Sequence, residues 1–294
     1  MTGKKHFFAP FFFLTPALSA IFVFFFIPVI AAFFISFTDL DIYALGNPAT
    51  IRFVGFGNYT RLLTDPLFWQ ALWNTLYFVL VAGPLSIAVS LLAAVLVNSR
   101  LTRWKALFKL SFFLPVVTTL VAVAIVWRFI YHPRFGIINY LLSLAGLHPI
   151  DWLGDPFWAM PALILMAVWK NFGYNMIIFI AGLQSIPEHL YEAAVVEGAT
   201  NWQKFWHITL PMLAPTILFV TIITVIGFFQ LFAEPYVMTQ GGPLNKTLSI
   251  VLYMYREGFR WWNMGYASAI AFVLFFIIFV ATLIQIKLQK AKGM

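Results

Sequence analysis

Residues 66–99 read PLFWQALWNTLYFVLVAGPLSIAVSLLAAVLVNS and contain no Asp, Glu, Lys or Arg. An apolar helix of about 20 residues crosses the hydrocarbon layer of a bilayer, which is about 30 Å thick. In hydrocarbon every backbone N–H and C=O group needs a partner within the protein, and a helix provides these partners within one segment. This stretch therefore predicts a transmembrane helix near 70–97.

The same pattern recurs along the whole chain. Its 294 residues are 62% apolar and 10% charged, with a mean hydropathy of +0.91, whereas about 25% of the residues of a soluble domain are charged. The alternating pattern of a lipid-facing β-barrel is missing. The sequence therefore predicts an all-α polytopic membrane protein with six transmembrane helices in a single domain over 1–294. The predicted spans lie near 12–36, 70–97, 110–131, 158–183, 213–233 and 262–286.

Basic residues are unevenly divided between the two sides that six spans define. The side of the two termini has ten basic and three acidic residues, and the other side has seven of each. Since loops rich in Lys and Arg stay in the cytoplasm, both termini and the 98–109 and 184–211 loops are predicted to be cytoplasmic. The net charge of +8 is then an orientation signal and gives no support to nucleic-acid binding. The ten basic residues are Lys4, Lys5, Arg100, Arg103, Lys105, Lys109, Lys204, Lys287, Lys290 and Lys292.

Several chemistries lack the residues that they need. Cysteine is absent, and the five histidines form no HxxxH or HExxH pair, so neither disulfides nor a metal site is predicted. The nearest approach to a phosphate-binding loop, at 241–247, has Asn245 where the second glycine is required. No span has a mid-membrane Asp or Glu for ion coupling, and no catalytic set of side chains stands out. We therefore expect a chain that is not an enzyme and holds no cofactor.

The predicted cytoplasmic loop, 184–211, begins with a short helix. Ser185 and Glu188 have the spacing of a capping box, and Gly198 suits the left-handed residue that follows a helix. The helix has few basic residues and a small Ala193/Ala194 surface, which favours docking into a groove of another protein. The alternative is an interfacial helix lying on lipid.

A second short helix follows in the same loop. Thr200 and Gln203 have the spacing of another capping box, which predicts an amphipathic helix over 201–209. The proline of Leu210-Pro211 is then expected to end this helix before the fifth span.

This loop resembles the EAA loop of the permeases of ATP-binding-cassette (ABC) importers. The matching residues are Glu192, Ala193, Ala194, Glu197, Gly198, Ala199, Phe205, Ile208, Leu210, Pro211 and Pro215. Segments 53–59, 74–75, 113–115, 181–184, 239–243 and 264–268 are similar to the carbohydrate branch of the family. Within that branch, the chain resembles the first permease of maltose-type and glycerol-3-phosphate-type systems. The resemblance implies the type I importer permease fold and a bacterial inner membrane.

The resemblance also implies partners. These are a second permease subunit, a dimer of ATPase subunits that bind ATP and Mg²⁺, an extracytoplasmic sugar-binding protein and a sugar substrate. In such importers the EAA helix is the coupling helix that sits in a groove of the ATPase. The implied coupling residues are Glu192, Ala193, Ala194, Glu197, Gly198, Ala199, Leu210 and Pro211.

A substrate path is expected where polar side chains occur within the fourth and fifth spans. The fourth span offers Lys170, Asn171, Tyr174 and Asn175, and the fifth offers Thr224, Phe228 and Gln230. Tyr174 resembles, in its distance from the EAA glutamate, a sugar-contacting tyrosine of the maltose-type permease. We expect Phe228 to stack on a pyranose ring and Gln230 to bind hydroxyl groups, with ordinary helix packing as the alternative.

Lys170 has three possible roles, since its charge is isolated in an apolar span. Its ammonium group reaches outward to the membrane surface, pairs with Glu234, or binds a substrate carboxylate or phosphate. We expect a structural role for Lys170 and a neutral sugar as the solute.

Three alternatives for the function of the whole protein remain. They are an ABC permease for a sugar phosphate or an acidic oligosaccharide, a stand-alone ion-coupled carrier, and a membrane scaffold that transports nothing.

Overall fold

The computed structural model describes residues 9–99 and 102–291. Lys4, Lys5, Arg100 and Lys292, which contribute to the predicted orientation, lie outside these residues. Within the described ranges the secondary structure is helical, apart from one antiparallel bridge between Thr38 and Phe53. Five helices are long and apolar enough to cross a membrane, or six if one bent pair counts as a span. The predicted all-helical fold class is therefore confirmed.

Eight helical elements are used below. Helix α1 comprises Ala9–Ile21, a π-helical turn at Phe22–Phe26, and Ile27–Ile35. The others are α2 (Pro66–Asn98), α3 (Lys105–Val117), α4 (Leu120–Ile130), α5 (Ala159–Gln184), α6 (Glu188–Val196), α7 (Ala214–Phe229) and α8 (Met264–Ala291). Shorter helices are Ile42–Gly46, Gly57–Thr64, Ile137–Leu144, Asn201–Lys204, Leu210–Met212, Ala233–Met238 and Ile250–Tyr255, with further π-helical turns at Phe205–Thr209 and Arg256–Arg260.

The third predicted span, 110–131, is not one straight helix. Helices α3 and α4 are bent by 99° at Thr118 and Thr119, whose backbones are extended. Such a break frees carbonyl groups at the end of α3, and each one is costly in an apolar environment unless it finds a donor. The Thr118 hydroxyl donates to the Pro115 carbonyl at 2.6 Å. A residue at the break therefore supplies a donor to one of these carbonyls.

By its internal contacts the chain forms two compact units. The described residues of the larger unit are 66–99, 102–253 and 274–291. In it α2 packs along α5, α3 also packs on α5, and α7 packs on both α2 and α5. A buried apolar cluster joins α2, α5 and α7, and Phe112 of α3 packs against it. The cluster consists of Ala94, Val97, Met176, Phe179, Ile180 and Val220.

Close approach of α3 and α5 requires a glycine. A Cβ atom on Gly173 would overlap the carbonyl oxygen of Phe112 in α3. Small residues at helix crossings are common in membrane proteins because they let the two backbones approach closely. Gly173 therefore fixes how near the broken span lies to α5.

The described residues of the smaller unit are 9–65 and 254–273. Its polar contacts connect the helix Gly57–Thr64 to the start of α8. The Tyr266 hydroxyl donates to the Asp65 carboxylate at 2.5 Å, and the Arg61 guanidinium lies 3.9 Å from the centre of the Tyr266 ring. Buried Glu257 lies 3.9 Å from Arg61 and accepts a hydrogen bond from Asn263 at 2.8 Å. These contacts hold together the segments before α2 and around the start of α8.

Candidate solute cavity and coupling helix

Helices α5 and α7 are joined by a buried polar contact. The Asn175 amide donates to the Thr224 hydroxyl at 3.0 Å, and both side chains are buried. A hydrogen bond between helices satisfies both polar groups where water is scarce. It positions the two helices whose polar side chains were predicted to line a substrate path.

A cavity of about 380 Å³ opens beside this contact. Six of the seven predicted path residues line it, namely Asn171, Tyr174, Asn175, Thr224, Phe228 and Gln230. The remaining lining residues are Leu120, Ile223, Gly227, Leu231, Phe232, Ala233 and Glu234. A mostly apolar wall with a few polar groups is typical of a site for a small molecule. The structure thus brings together side chains from α5, α7, the start of α4 and the segment after α7.

The polar lining residues differ in what they offer to a solute. The Asn171 amide donates to the Ala167 carbonyl of its own helix at 2.8 Å. Tyr174 is 48% exposed, and Gln230 is exposed directly after the end of α7. The Tyr174 hydroxyl and the Gln230 amide are therefore the polar groups best placed to meet a solute.

Phe228 contributes less ring surface to the cavity than a stacking platform would. Its ring packs edge-to-face on Phe78 of α2, with 5.3 Å between the ring centres, and it is largely buried. Part of this side chain therefore serves helix packing, which was the alternative to a sugar-stacking role.

Lys170 lies on α5 but does not line the cavity. Its ammonium group donates to the Pro115 carbonyl at 3.1 Å and to the Val116 carbonyl at 3.3 Å. These carbonyls belong to the last turn of α3, where a cation is favoured by the helix dipole. Lys170 thus supplies donors to the break in the third predicted span. This role was not among those predicted for Lys170 from the sequence.

Glu234 follows α7 and lines the cavity from the helix Ala233–Met238. Its side chain is 8% exposed, and its carboxylate attracts the Lys170 ammonium without direct contact. From the sequence, Glu234 was predicted only as a candidate partner of Lys170. Its place on the cavity wall depends on the turn after Gln230, which the hydropathy pattern does not reveal.

Helix α6 presents an exposed surface. Glu192 and Ala193 are exposed, and Val196 is 88% exposed. Gly198 ends the helix at φ +78°, and the Ala199 N–H donates to the Ala194 carbonyl at 2.8 Å. The predicted left-handed glycine after this helix is therefore confirmed. The implied coupling residues 192–194 and 197–199 lie together on this helix and its end.

The start of α6 differs from the prediction. The Ser185 hydroxyl donates back to the Gly182 carbonyl at 2.8 Å, and Pro187 occupies the position before the helix without a side-chain cap. The predicted Ser185–Glu188 capping box is wrong because Ser185 completes the end of α5 instead. The second capping box, of Thr200 and Gln203, is confirmed.

The second loop helix does not end at Leu210-Pro211. A π-helical turn at Phe205–Thr209 leads into Leu210–Met212 and then α7. The Leu210 N–H donates to the Phe205 carbonyl, and the wider π turn accommodates Pro211, which has no N–H of its own. Proline therefore shapes the entry to α7 without stopping the helical path.

One side-chain contact connects α6 to this π turn. The Tyr191 and Thr209 hydroxyl groups are 2.9 Å apart, and Thr209 is buried. The contact gives α6 a direct connection to the segment that continues into α7.

Residues 86–292 match the family described as binding-protein-dependent transport system inner membrane component. The chain is 39% identical over 278 residues to the lactose transport system permease protein LacF of Rhizobium radiobacter, covering 93% of this chain and 91% of that protein. It is 38% identical over 283 residues to the arabinooligosaccharides transport system permease protein AraP of Bacillus subtilis, covering 96% and 88%.

A solved structure has the same fold. It is the crystal structure of a bacterial ABC transporter involved in the import of the acidic polysaccharide alginate. The TM-score is 0.82 at 25% sequence identity, and the alignment covers 98% of this chain and 96% of that one. With the family match spanning well over half of the sequence, the chain belongs to the binding-protein-dependent inner membrane transport components, a family of multi-pass permeases.

Proposed function

We propose that this chain is the permease subunit of an ATP-driven, binding-protein-dependent sugar importer. The observation that carries the proposal is the cavity between α5 and α7, which gathers six side chains chosen beforehand for a substrate path. The lactose and arabinooligosaccharide permeases named above support a sugar as the solute. The chain forms half of the path, and a second permease subunit supplies the other half.

The energy for transport comes from partner subunits. A dimer of ATPase subunits binds ATP and Mg²⁺, and α6 sits in a groove of one of them. An extracytoplasmic binding protein delivers the sugar to the side opposite the two termini, which lie in the cytoplasm. This chain itself catalyses no reaction and holds no cofactor.

Movement of α6 changes which side of the membrane the cavity faces. When the ATPase subunits close on ATP, they displace α6, and the Tyr191–Thr209 contact passes this displacement to the segment before α7. Because α7 contributes Thr224 and Phe228 to the cavity wall, its displacement reshapes the cavity. ATP binding and hydrolysis then shift the populations of outward-open and inward-open states.

The test is sugar uptake by reconstituted vesicles. The complete transporter, with its ATPase and binding protein, is supplied with radiolabelled lactose or arabinotriose. We expect uptake that requires ATP and the binding protein. Uptake by this chain alone, driven by a proton or sodium gradient, would overturn the proposal in favour of an ion-coupled carrier. Absence of uptake of any sugar from a panel by the complete transporter would favour a scaffold.

Two substitutions on α6 and its end test the coupling role. Glu192→Lys reverses a charge on the exposed surface, and Gly198→Pro places proline at φ +78°, which its ring forbids. We expect either variant to lose the ATPase or its stimulation by sugar, while the spans still insert. Normal assembly and normal transport in both variants would contradict the coupling role.

A further inference from the structure

The walls of the cavity contain one acidic residue and no basic one. Of the thirteen described residues that line it, Glu234 alone is acidic, and none is Lys, Arg or His. A carboxylate only accepts hydrogen bonds, and sugar hydroxyl groups donate them. Its position on the wall therefore suits a solute that brings donors and no negative charge.

The cation that Glu234 attracts is occupied elsewhere. The Lys170 ammonium, on a side chain that is 9% exposed, donates to the Pro115 and Val116 carbonyls at 3.1 and 3.3 Å. Moving it to a solute would leave these carbonyls at the break between α3 and α4 without their donor. A solute anion in the cavity thus meets the carboxylate of Glu234 and not the ammonium of Lys170.

Two of the three amide side chains on the wall already donate within the protein, which leaves the Gln230 amide and the Tyr174 hydroxyl as the groups that can donate to a solute. Asn171 donates to the Ala167 carbonyl and Asn175 to the Thr224 hydroxyl. An anion needs several donors to replace its hydration, whereas a hydroxyl group is satisfied by one acceptor and one donor.

We propose that Glu234 determines the charge of the solutes that this cavity accepts. It admits neutral sugars, whose hydroxyl groups donate to the carboxylate, and sugars that carry an amine. It disfavours uronates and sugar phosphates, because specificity is achieved by repulsion as well as by attraction. The inference rests on the proposed function in one respect, namely that the solute is a sugar. The charge of the cavity itself is measured without any sugar.

The measurement uses the absence of natural cysteine in this chain. Gln230→Cys places one thiol on the cavity wall of the assembled transporter. Its reaction rates with two methanethiosulfonates of similar size, one cationic and one anionic, are divided by the rates for a free thiol in the same buffer. Labelling is read on the separated chain, so cysteines of partner subunits do not contribute.

We expect the cationic reagent to be favoured by about fivefold or more, as a nearby carboxylate predicts in a partly shielded site. Adding Glu234→Gln should remove this preference, and Glu234→Asp, which keeps the charge, should retain it. Lys170→Met should retain or increase the preference. A normalised ratio of one or below in Gln230→Cys alone overturns the proposal, as does an unchanged ratio with Glu234→Gln or a thiol that neither reagent reaches.

Uptake separates this inference from the proposed function. The complete transporter is given lactose and its acid analogue lactobionate, as well as arabinotriose and a trigalacturonate. ATP-dependent uptake of a neutral sugar together with loss of the cation preference in Glu234→Gln supports both proposals. ATP-dependent uptake that favours an acidic sugar overturns the charge inference while the importer function stands. No uptake of any sugar counts against the importer, and the reaction ratios still decide the charge of the cavity.

Discussion

The bond between Asn175 and Thr224 shows how single polar side chains organise this apolar protein. Both are buried, and the bond at 3.0 Å joins α5 to α7 directly beside the cavity. Hydrogen bonds between transmembrane helices contribute about 0.6 kcal/mol on average and up to about 1.7 kcal/mol. Removing one partner leaves the other polar group buried and without this hydrogen bond, which adds to the cost.

We expect Thr224→Val, which keeps the shape of the side chain, to lower the free energy of unfolding by about 1 kcal/mol. The measurement is thermal or denaturant unfolding of the purified transporter in detergent. Thr221→Val is the matched control, because the Thr221 hydroxyl donates to the Ile217 carbonyl of its own helix at 2.7 Å. An equal effect of the two substitutions would show that the hydrogen bond between helices contributes no more to stability than the one within α7.

At the scale of elements, the break between α3 and α4 depends on residues from another helix. Lys170 and Gly173 of α5 both face the end of α3, the first donating to its carbonyls and the second allowing close approach to Phe112. The broken span is therefore held in place by α5, and the start of α4 reaches the cavity at Leu120.

Gly173→Ala tests this crossing. The added methyl group overlaps the Phe112 carbonyl, so α3 and α5 must move apart, and we expect a loss of stability of about 1–3 kcal/mol together with reduced uptake. Gly83→Ala in α2 is the control, since a Cβ atom there meets nothing within 4 Å. Unfolding and uptake measurements on both variants decide it, and equal behaviour of the two variants would mean that α3 and α5 tolerate a larger separation.

The contact between α6 and the π turn is a second test at this scale. Tyr191→Phe removes the hydroxyl group that lies 2.9 Å from that of Thr209 but leaves the ring. We expect the transporter to assemble normally. The amount of sugar imported per ATP hydrolysed should fall about two- to tenfold, since the loss of one hydrogen bond is about 0.5–1.5 kcal/mol. Tyr140→Phe, on an exposed ring of the helix Ile137–Leu144, is the control. An unchanged ratio in Tyr191→Phe would remove this contact from the coupling route.

For the molecule as a whole, the sequence predicts the features that depend on the length of its apolar stretches. Charge-free stretches such as 66–99 identify long helices because a bilayer rewards length and penalises charge. The polar residues of the fourth and fifth predicted spans were selected by residue type, and all of them except Lys170 meet at one cavity because the helices present them to each other. Gly198 was predictable because its left-handed backbone favours glycine.

What the sequence did not predict depends on contacts between distant residues. The break at Thr118 and Thr119 is stabilised by Lys170, more than fifty residues away along the chain. Hydropathy does not detect it, since the sequence is apolar on both sides of the break. Ser185 lies between α5 and α6, so its hydroxyl has a partner within reach on either helix. It donates to the Gly182 carbonyl at the end of α5 and does not cap α6. The position of Glu234 likewise follows from a turn whose direction depends on neighbouring helices.

Cross-linking from α6 tests the central claim most directly, namely that a separate ATPase acts on this permease through that helix. Val196→Cys, at a position that is 88% exposed, and Phe135→Cys, at a position on the predicted opposite side that is 67% exposed, each place one thiol in a chain that has none. A photoreactive maleimide is attached to each variant in the assembled transporter. We predict cross-links to the ATPase from Val196→Cys, changing in yield with ATP, and none from Phe135→Cys. Absence of an ATPase cross-link from Val196→Cys, or equal yields from both positions, would contradict the account.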